Sequence, residues 1–126
     1  MMKKEKFSIK KRIKSFVYAF NGLFLVIKNE HNARIHLLAT VCVILAGFIF
    51  KISKFEWIAI IFAIGFVFVS EIINSSIEHL ADFVSPEKHE KIKIVKDLAA
   101  AAVLVAAIVS VIIGLIVFLN KIIPQN

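Results

Sequence analysis

Three stretches of this chain are apolar over a length that can cross a bilayer, and a fourth is apolar on one face only. The first runs over 35–52; its eighteen residues, at about 1.5 Å each, make about 27 Å, just enough for a hydrocarbon core of about 30 Å. The second runs over 55–83. It is uninterrupted through Ser70 and then carries Glu71, Asn74, Glu78, His79 and Asp82. The third runs over 93–120, and Leu98–Leu119 alone is long enough to span. In 7–28, Ile13, Phe16, Val17, Phe20, Leu23, Phe24 and Ile27 recur at helical spacing within an arc of about 120°, with Lys11, Ser15, Tyr18 and Gly22 opposite. That pattern predicts a basic amphipathic helix lying in the headgroup region. Pro86 and Pro124 fall in a loop and in the tail, where a missing N–H does no harm.

Composition narrows the class. With 126 residues, residues 1–126 read as one domain, and 60% hydrophobic residues would leave a water-soluble fold with a large exposed apolar patch. Twelve Phe exclude a solvated coil. Cys42 stands alone, which excludes an internal disulfide and a cysteine-built zinc site. An all-α integral membrane protein remains.

Charge then orients the spans. Of sixteen basic residues, nine precede position 35: Lys3, Lys4, Lys6, Lys10, Lys11, Arg12, Lys14, Lys28 and Arg34. Lys51 and Lys54 separate the first two spans, Lys88, Lys91, Lys93 and Lys96 the next two, and Lys121 closes the last. This alternation expects the N-terminal arm and the 84–95 loop in the cytoplasm, with the 51–55 turn and the C-terminus on the other side. A secretory signal peptide is not expected, because the basic start leads into an amphipathic segment with no small-residue cleavage site.

The second span carries the chemistry. At 100° per residue, Asn74, Glu78 and Asp82 fall at about −60°, −20° and +20° from Glu71, one polar stripe about 80° wide. A carboxylate at mid-membrane costs about 2.5–3.5 kcal/mol even on insertion scales. The plainer reading is a polar seam between helices, but a seam needs only Asn, Ser or Thr. The expected partner is the start of the third span, where Lys96 and Asp97 are followed by Ala99–Ala102, small residues that allow close approach. By itself Lys96 would read as a lysine snorkelling at a helix end.

Spacing divides the roles. Glu71 and Glu78 lie about 10.5 Å apart along the helix axis, too far to share one Mg²⁺, whose oxygen ligands sit at about 2.1 Å. Glu78 therefore needs a second carboxylate, and Glu30 is the nearest uncommitted candidate. Glu71 is left as a general base, and at its depth the only hydroxyl within reach is one carried by a lipid. No GxxxxGK phosphate loop occurs. A nucleotide would be held by cations and metal, from Lys11, Tyr18, Lys96 and the basic loop around Lys88 and His89. These observations support a charged, metal-capable cavity at the cytoplasmic interface. They leave a small oligomeric transporter open, with the acidic stripe as a cation or proton path, and also a purely structural subunit.

The stretch Glu71-Ile-Ile-Asn74-Ser-Ser-Ile-Glu78, followed by Asp82 and by Lys96-Asp97-Leu-Ala-Ala-Ala-Ala-Val, strongly resembles the prokaryotic diacylglycerol kinase family, which includes the undecaprenol kinases of Gram-positive bacteria. Asn29-Glu30 and Arg34-Ile35-His36 match it upstream, so the resemblance covers nearly the whole chain. It implies a homotrimeric bundle of three-span protomers, each with a surface helix, in the bacterial cytoplasmic membrane with the N-terminus and active site facing the cytoplasm. It also implies a lipid kinase using MgATP on diacylglycerol or undecaprenol, with Glu71 as base and Glu30 and Glu78 as metal ligands. Nucleotide contacts would fall on Tyr18, Glu87, Lys88, His89, Lys96 and Asp97 as well as on the metal-bearing Glu30 and Glu78. Lys96 would stabilise the transferring group, and Asn74 and Asp82 would orient Glu71 and the cations. Expected partners are the lipid, ATP and further copies of the chain, and no nucleic acid. One position departs: where an arginine is expected in the surface helix stands Lys11, with Arg12 beside it, and a lysine cannot copy a planar bidentate contact.

Overall fold

The computed structural model describes residues 6–123 as four helices: α1 (Ile9–Asn29), α2 (His31–Ile49), α3 (Lys54–Val84) and α4 (Glu90–Ile122). Lys3, Lys4 and Pro124 lie outside the described residues. The helices α2, α3 and α4 are long and apolar enough to cross a membrane. The architecture is the expected one, a one-sided helix followed by three spans, with differences at the ends.

The joint between α1 and α2 is shorter than the sequence pattern predicts. Helix α1 runs on to Asn29 and α2 starts at His31 rather than at Ile35, so Glu30 alone takes an extended conformation (φ −105°, ψ 118°). Glu30 serves both helices: its N–H donates to the carbonyl of Val26 at 2.9 Å, and its carbonyl accepts from Arg34 N–H at 3.3 Å. Helix α1 is started by Ser8, whose hydroxyl accepts from Lys11 N–H at 3.4 Å, and Lys28 in its last turn complements the helix dipole. Its apolar face touches little of the rest of the chain, Val26 being its one buried residue, and Phe16, Phe20 and Phe24 are exposed as a membrane-lying face requires.

The turn after α2 also comes early. The helix ends at Ile49, not Ile52, because Lys51 adopts a left-handed conformation (φ 51°). Lys51 N–H donates to Phe48 O at 3.3 Å and Ile52 N–H to Gly47 O at 3.1 Å, the paired bonds of a Schellman stop. The next helix starts at once. Ser53 and Glu56 form a capping box, with Glu56 Oε1 accepting from Ser53 N–H at 2.8 Å and Ser53 Oγ accepting from Glu56 N–H at 3.2 Å. The same Glu56 oxygen pairs with Lys121 at 3.0 Å and ties this end of α3 to the end of α4.

Most of the tertiary contact is between α3 and α4. Their apolar knot, Ile52, Ile60 and Val117 with Trp57, Ile64, Ile113 and Phe118 around them, lies toward the Lys51 turn. Gly47 lets α2 join it: a Cβ there would stand 2.6 Å from Cη2 of the Trp57 indole. Of the alanines at the start of α4, only Ala99 is buried, since four successive residues point around most of the helix. With 31 and 33 residues, α3 and α4 extend to about 46 and 50 Å, beyond the roughly 30 Å of a hydrocarbon core.

Two stability effects are expected. Gly47→Ala should destabilise the protein by about 1–3 kcal/mol, because the rigid indole has to move. Lys51→Gly should stabilise it by about 1 kcal/mol by removing the side chain from a left-handed position. Thermal unfolding in detergent, followed by circular dichroism, measures both.

Candidate active site

The polar stripe of α3 is partly buried and partly open. Glu71, Asn74 and Ser75 are buried, whereas Asp82, two to three turns further on, is exposed. What covers the buried part is the α1–α2 joint. Ser75 Oγ donates to Glu30 Oε1 at 3.2 Å, and His36 Nε2 on α2 stands 3.4 Å from Glu71 Oε1. Asn74 Nδ2 donates along the helix to Glu78 Oε1 at 3.3 Å. Glu30, Glu78 and His36 all act electrostatically on Glu71.

The start of α4 answers only the outer end of the stripe. Lys96 Nζ donates to Asp82 Oδ1 at 2.5 Å, and Asp97 is paired with Lys93 at 2.7 Å on its own helix. Lys96 therefore meets the outermost acid rather than the whole row. The reason is axial distance: α3 and α4 turn back at the loop after Val84, and Glu71 lies eleven residues, about 16 Å, deeper than Asp82.

Beside this pair is a groove of about 490 Å³, within the range of small-molecule sites. Asp82, Glu87, Lys88, His89, Lys96 and Asp97 all line it, which brings the expected nucleotide-contacting residues of the loop and α4 to one place. His89 has a structural duty as well. It is the N-cap of α4, its Nδ1 accepting from Lys91 N–H at 3.1 Å.

Lys11, Arg12 and Tyr18 stand on α1 and are not part of the groove's lining. Lys11 and Tyr18, seven residues apart, project about 20° from one another around the helix, while Arg12 is about 120° from Tyr18. The Arg12 guanidinium lies over the Phe7 ring, 5.4 Å from its centroid. Of the two cations, Lys11 is the one that shares the Tyr18 face.

Glu30, at the α1–α2 joint, and Glu78, on α3, are held by adjacent residues of α3, Ser75 and Asn74. Each contact engages a single carboxylate oxygen and leaves the other for a ligand. Among the described residues no group of three or more His, Cys, Asp or Glu side chains is arranged for a metal. A pair of oxygen donors suits Mg²⁺, which keeps several waters and is commonly held by one or two carboxylates plus phosphate oxygens. Among the described residues, two side-chain atoms are buried without a hydrogen-bond partner, Glu71 Oε1 and Asn74 Oδ1. An acid and an amide left open inside a helix bundle are costly to the fold, which marks this level of α3 as a place for a polar ligand group.

Two residues here carry no role in the sequence reading. Ser75 lies at about +40° from Glu71, about 20° beyond the edge of the stripe, and a hydroxyl in a membrane helix draws no notice. His36 is visible in sequence only as a match to the upstream motif; its approach to Glu71 depends on how α2 packs on α3.

The sequence pattern of the family described as "Prokaryotic diacylglycerol kinase" matches residues 17–118. An undecaprenol kinase of Bacillus subtilis is 41% identical over 108 residues, covering 86% of this chain and 88% of that protein. A diacylglycerol kinase of Synechocystis is 36% identical over 101 residues, covering 79% of this chain and 58% of that one. A diacylglycerol kinase of Escherichia coli K12 is 32% identical over 100 residues, covering 79% and 82%. With its family pattern spanning all four helices, the chain belongs to the prokaryotic diacylglycerol kinase family.

Proposed function

We propose that this lipid kinase transfers the γ-phosphoryl group of ATP to the hydroxyl of a membrane lipid, with undecaprenol as acceptor ahead of diacylglycerol. The observation that carries the reading is that one polar stripe of α3 joins two unlike regions: a buried carboxylate, Glu71, and, toward the Asp82 end, an open charged groove lined by Lys88, His89, Lys93 and Lys96 together with four acids. A base buried among apolar helices suits a hydroxyl delivered from the bilayer. A groove facing water suits a nucleotide. A cation pathway would use the stripe but gives no purpose to the groove.

In this reading Glu71 accepts the hydroxyl proton as the lipid oxygen attacks the γ-phosphorus and ADP leaves. Lys96, Lys88 and the Lys11–Tyr18 face of α1 hold phosphate charge, and Asp82 keeps Lys96 in place. Glu30 and Glu78 would hold Mg²⁺, which would supply positive charge to offset that of the phosphates. Asn74 steadies Glu78 and Ser75 steadies Glu30. Phosphoryl transfer depends mainly on positioning and charge stabilisation, so a scaffold of this size suffices. Preference for the polyprenol is supported by the higher identity to the relative named for undecaprenol, 41% against 36% and 32%. The functional unit is a homotrimer in the bacterial cytoplasmic membrane, its groove facing the cytoplasm. The basic residues gathered before α2 support that orientation.

Purified protein in detergent, given radiolabelled ATP and each lipid in turn, should label undecaprenol; labelling neither lipid would refute the proposal. Glu71→Gln should keep the fold and lower lipid phosphorylation by about 10²–10⁴-fold, the usual worth of a general base. Ser75→Ala should raise the Mg²⁺ concentration for half-maximal activity by about 10-fold, as loss of a hydrogen bond behind a metal ligand does. A Mg²⁺ titration of both proteins checks it.

A further inference from the structure

One polar residue stands at the meeting point of Glu71 and an apolar cleft. The cleft, about 220 Å³, is bounded by α2, α3 and α4 and lined by small and branched side chains such as Ala39, Val43, Ala63, Val67 and Val111. Its hydroxyls are already engaged: Thr40 Oγ1 donates to the carbonyl of His36 at 2.7 Å, and Ser110 Oγ donates to the carbonyl of Ala63 at 3.0 Å. His36 also lines the cleft, and its imidazole is the polar tip there that faces an acid. Nε2 stands 3.4 Å from Glu71 Oε1, and that oxygen is buried with no hydrogen bond made. The two side chains differ in access, His36 being 23% exposed and Glu71 1%.

We propose that His36 is a positioning residue for Glu71. Its Nε2–H donates to Oε1 as the lipid docks, which turns Oε2 toward the incoming hydroxyl. The hydroxyl proton then passes to Oε2, the lipid oxygen forms its bond to the γ-phosphorus, and the bond from that phosphorus to the ADP oxygen breaks. His36 donates one hydrogen bond throughout and neither gains nor loses a proton. A carboxylate held at one oxygen presents the other in a fixed direction, and misplacement of a reacting group by about 1 Å costs about 100-fold. The back-bond from Thr40 anchors the turn of α2 that carries the imidazole. This role rests on the lipid-kinase reading.

The experiment compares His36→Ala, His36→Leu and His36→Gln with the unaltered protein by lipid phosphorylation in mixed micelles, varying MgATP. Alanine and leucine should lower kcat by about 10–100-fold with KM for MgATP held within about 2-fold, because the nucleotide groove is untouched. Glutamine, whose amide N–H can reach the same oxygen, should recover activity to within about 5-fold of the unaltered protein. Full activity in the alanine variant, or recovery by leucine and not by glutamine, would overturn the role and show a packing residue. The first result leaves the kinase reading standing. Absence of lipid phosphorylation in the unaltered protein would instead overturn the kinase reading and this role with it.

Discussion

Polar groups set among apolar helices have to be met by other polar groups, because hydrocarbon offers them nothing. In this chain the demand arises on one face of α3, and the other elements are arranged to answer it at successive depths. His36 meets Glu71 at the deepest level, Glu30 meets Ser75 next, and Lys96 meets Asp82 at the rim. Asn74 and Glu78 satisfy one another in part along the helix. The answer is incomplete at Glu71 Oε1 and Asn74 Oδ1, and it is incomplete where the proposed reaction needs open valences.

The far end of the molecule shows the opposite character. There Ile52, Ile60 and Val117 close an apolar knot, Trp57 lies over Gly47, and the capping box of α3 is tied through Glu56 to Lys121. Local signals agree at this end, with a Schellman stop, a capping box and a tight turn. The one exception is Lys51, which occupies a left-handed position that glycine would hold at lower cost. Stability gathered at one end allows the other to keep buried acids only partly paired.

The helices and the stripe were legible in the chain because both depend on period alone. Seven apolar residues at helical spacing define the face of α1, and four residues at 71, 74, 78 and 82 define the stripe of α3. Helix ends were harder to read. The starts at His31 and Glu90 and the stop at Ile49 are set by single residues, Glu30, His89 and Lys51, whose backbone conformations no hydrophobic pattern reveals. The pairing of Glu30 with α3 could be reasoned from metal arithmetic, but Ser75 as its donor and His36 as the neighbour of Glu71 could not. Those contacts span 45 and 35 residues of sequence and arise only when α2 lies against α3.

Glu30 is at once the joint between two helices and, in the proposed reaction, a side chain that would hold the metal. It is the single residue between α1 and α2, and its carboxylate is fastened to Ser75 on a third helix. Any tilt of the amphipathic helix, as it floats higher or sinks lower among the headgroups, must pivot on the backbone that carries this carboxylate. The height of that float and the completeness of the acidic pocket below it are therefore mechanically one variable, shared between the bilayer surface and the interior of the bundle.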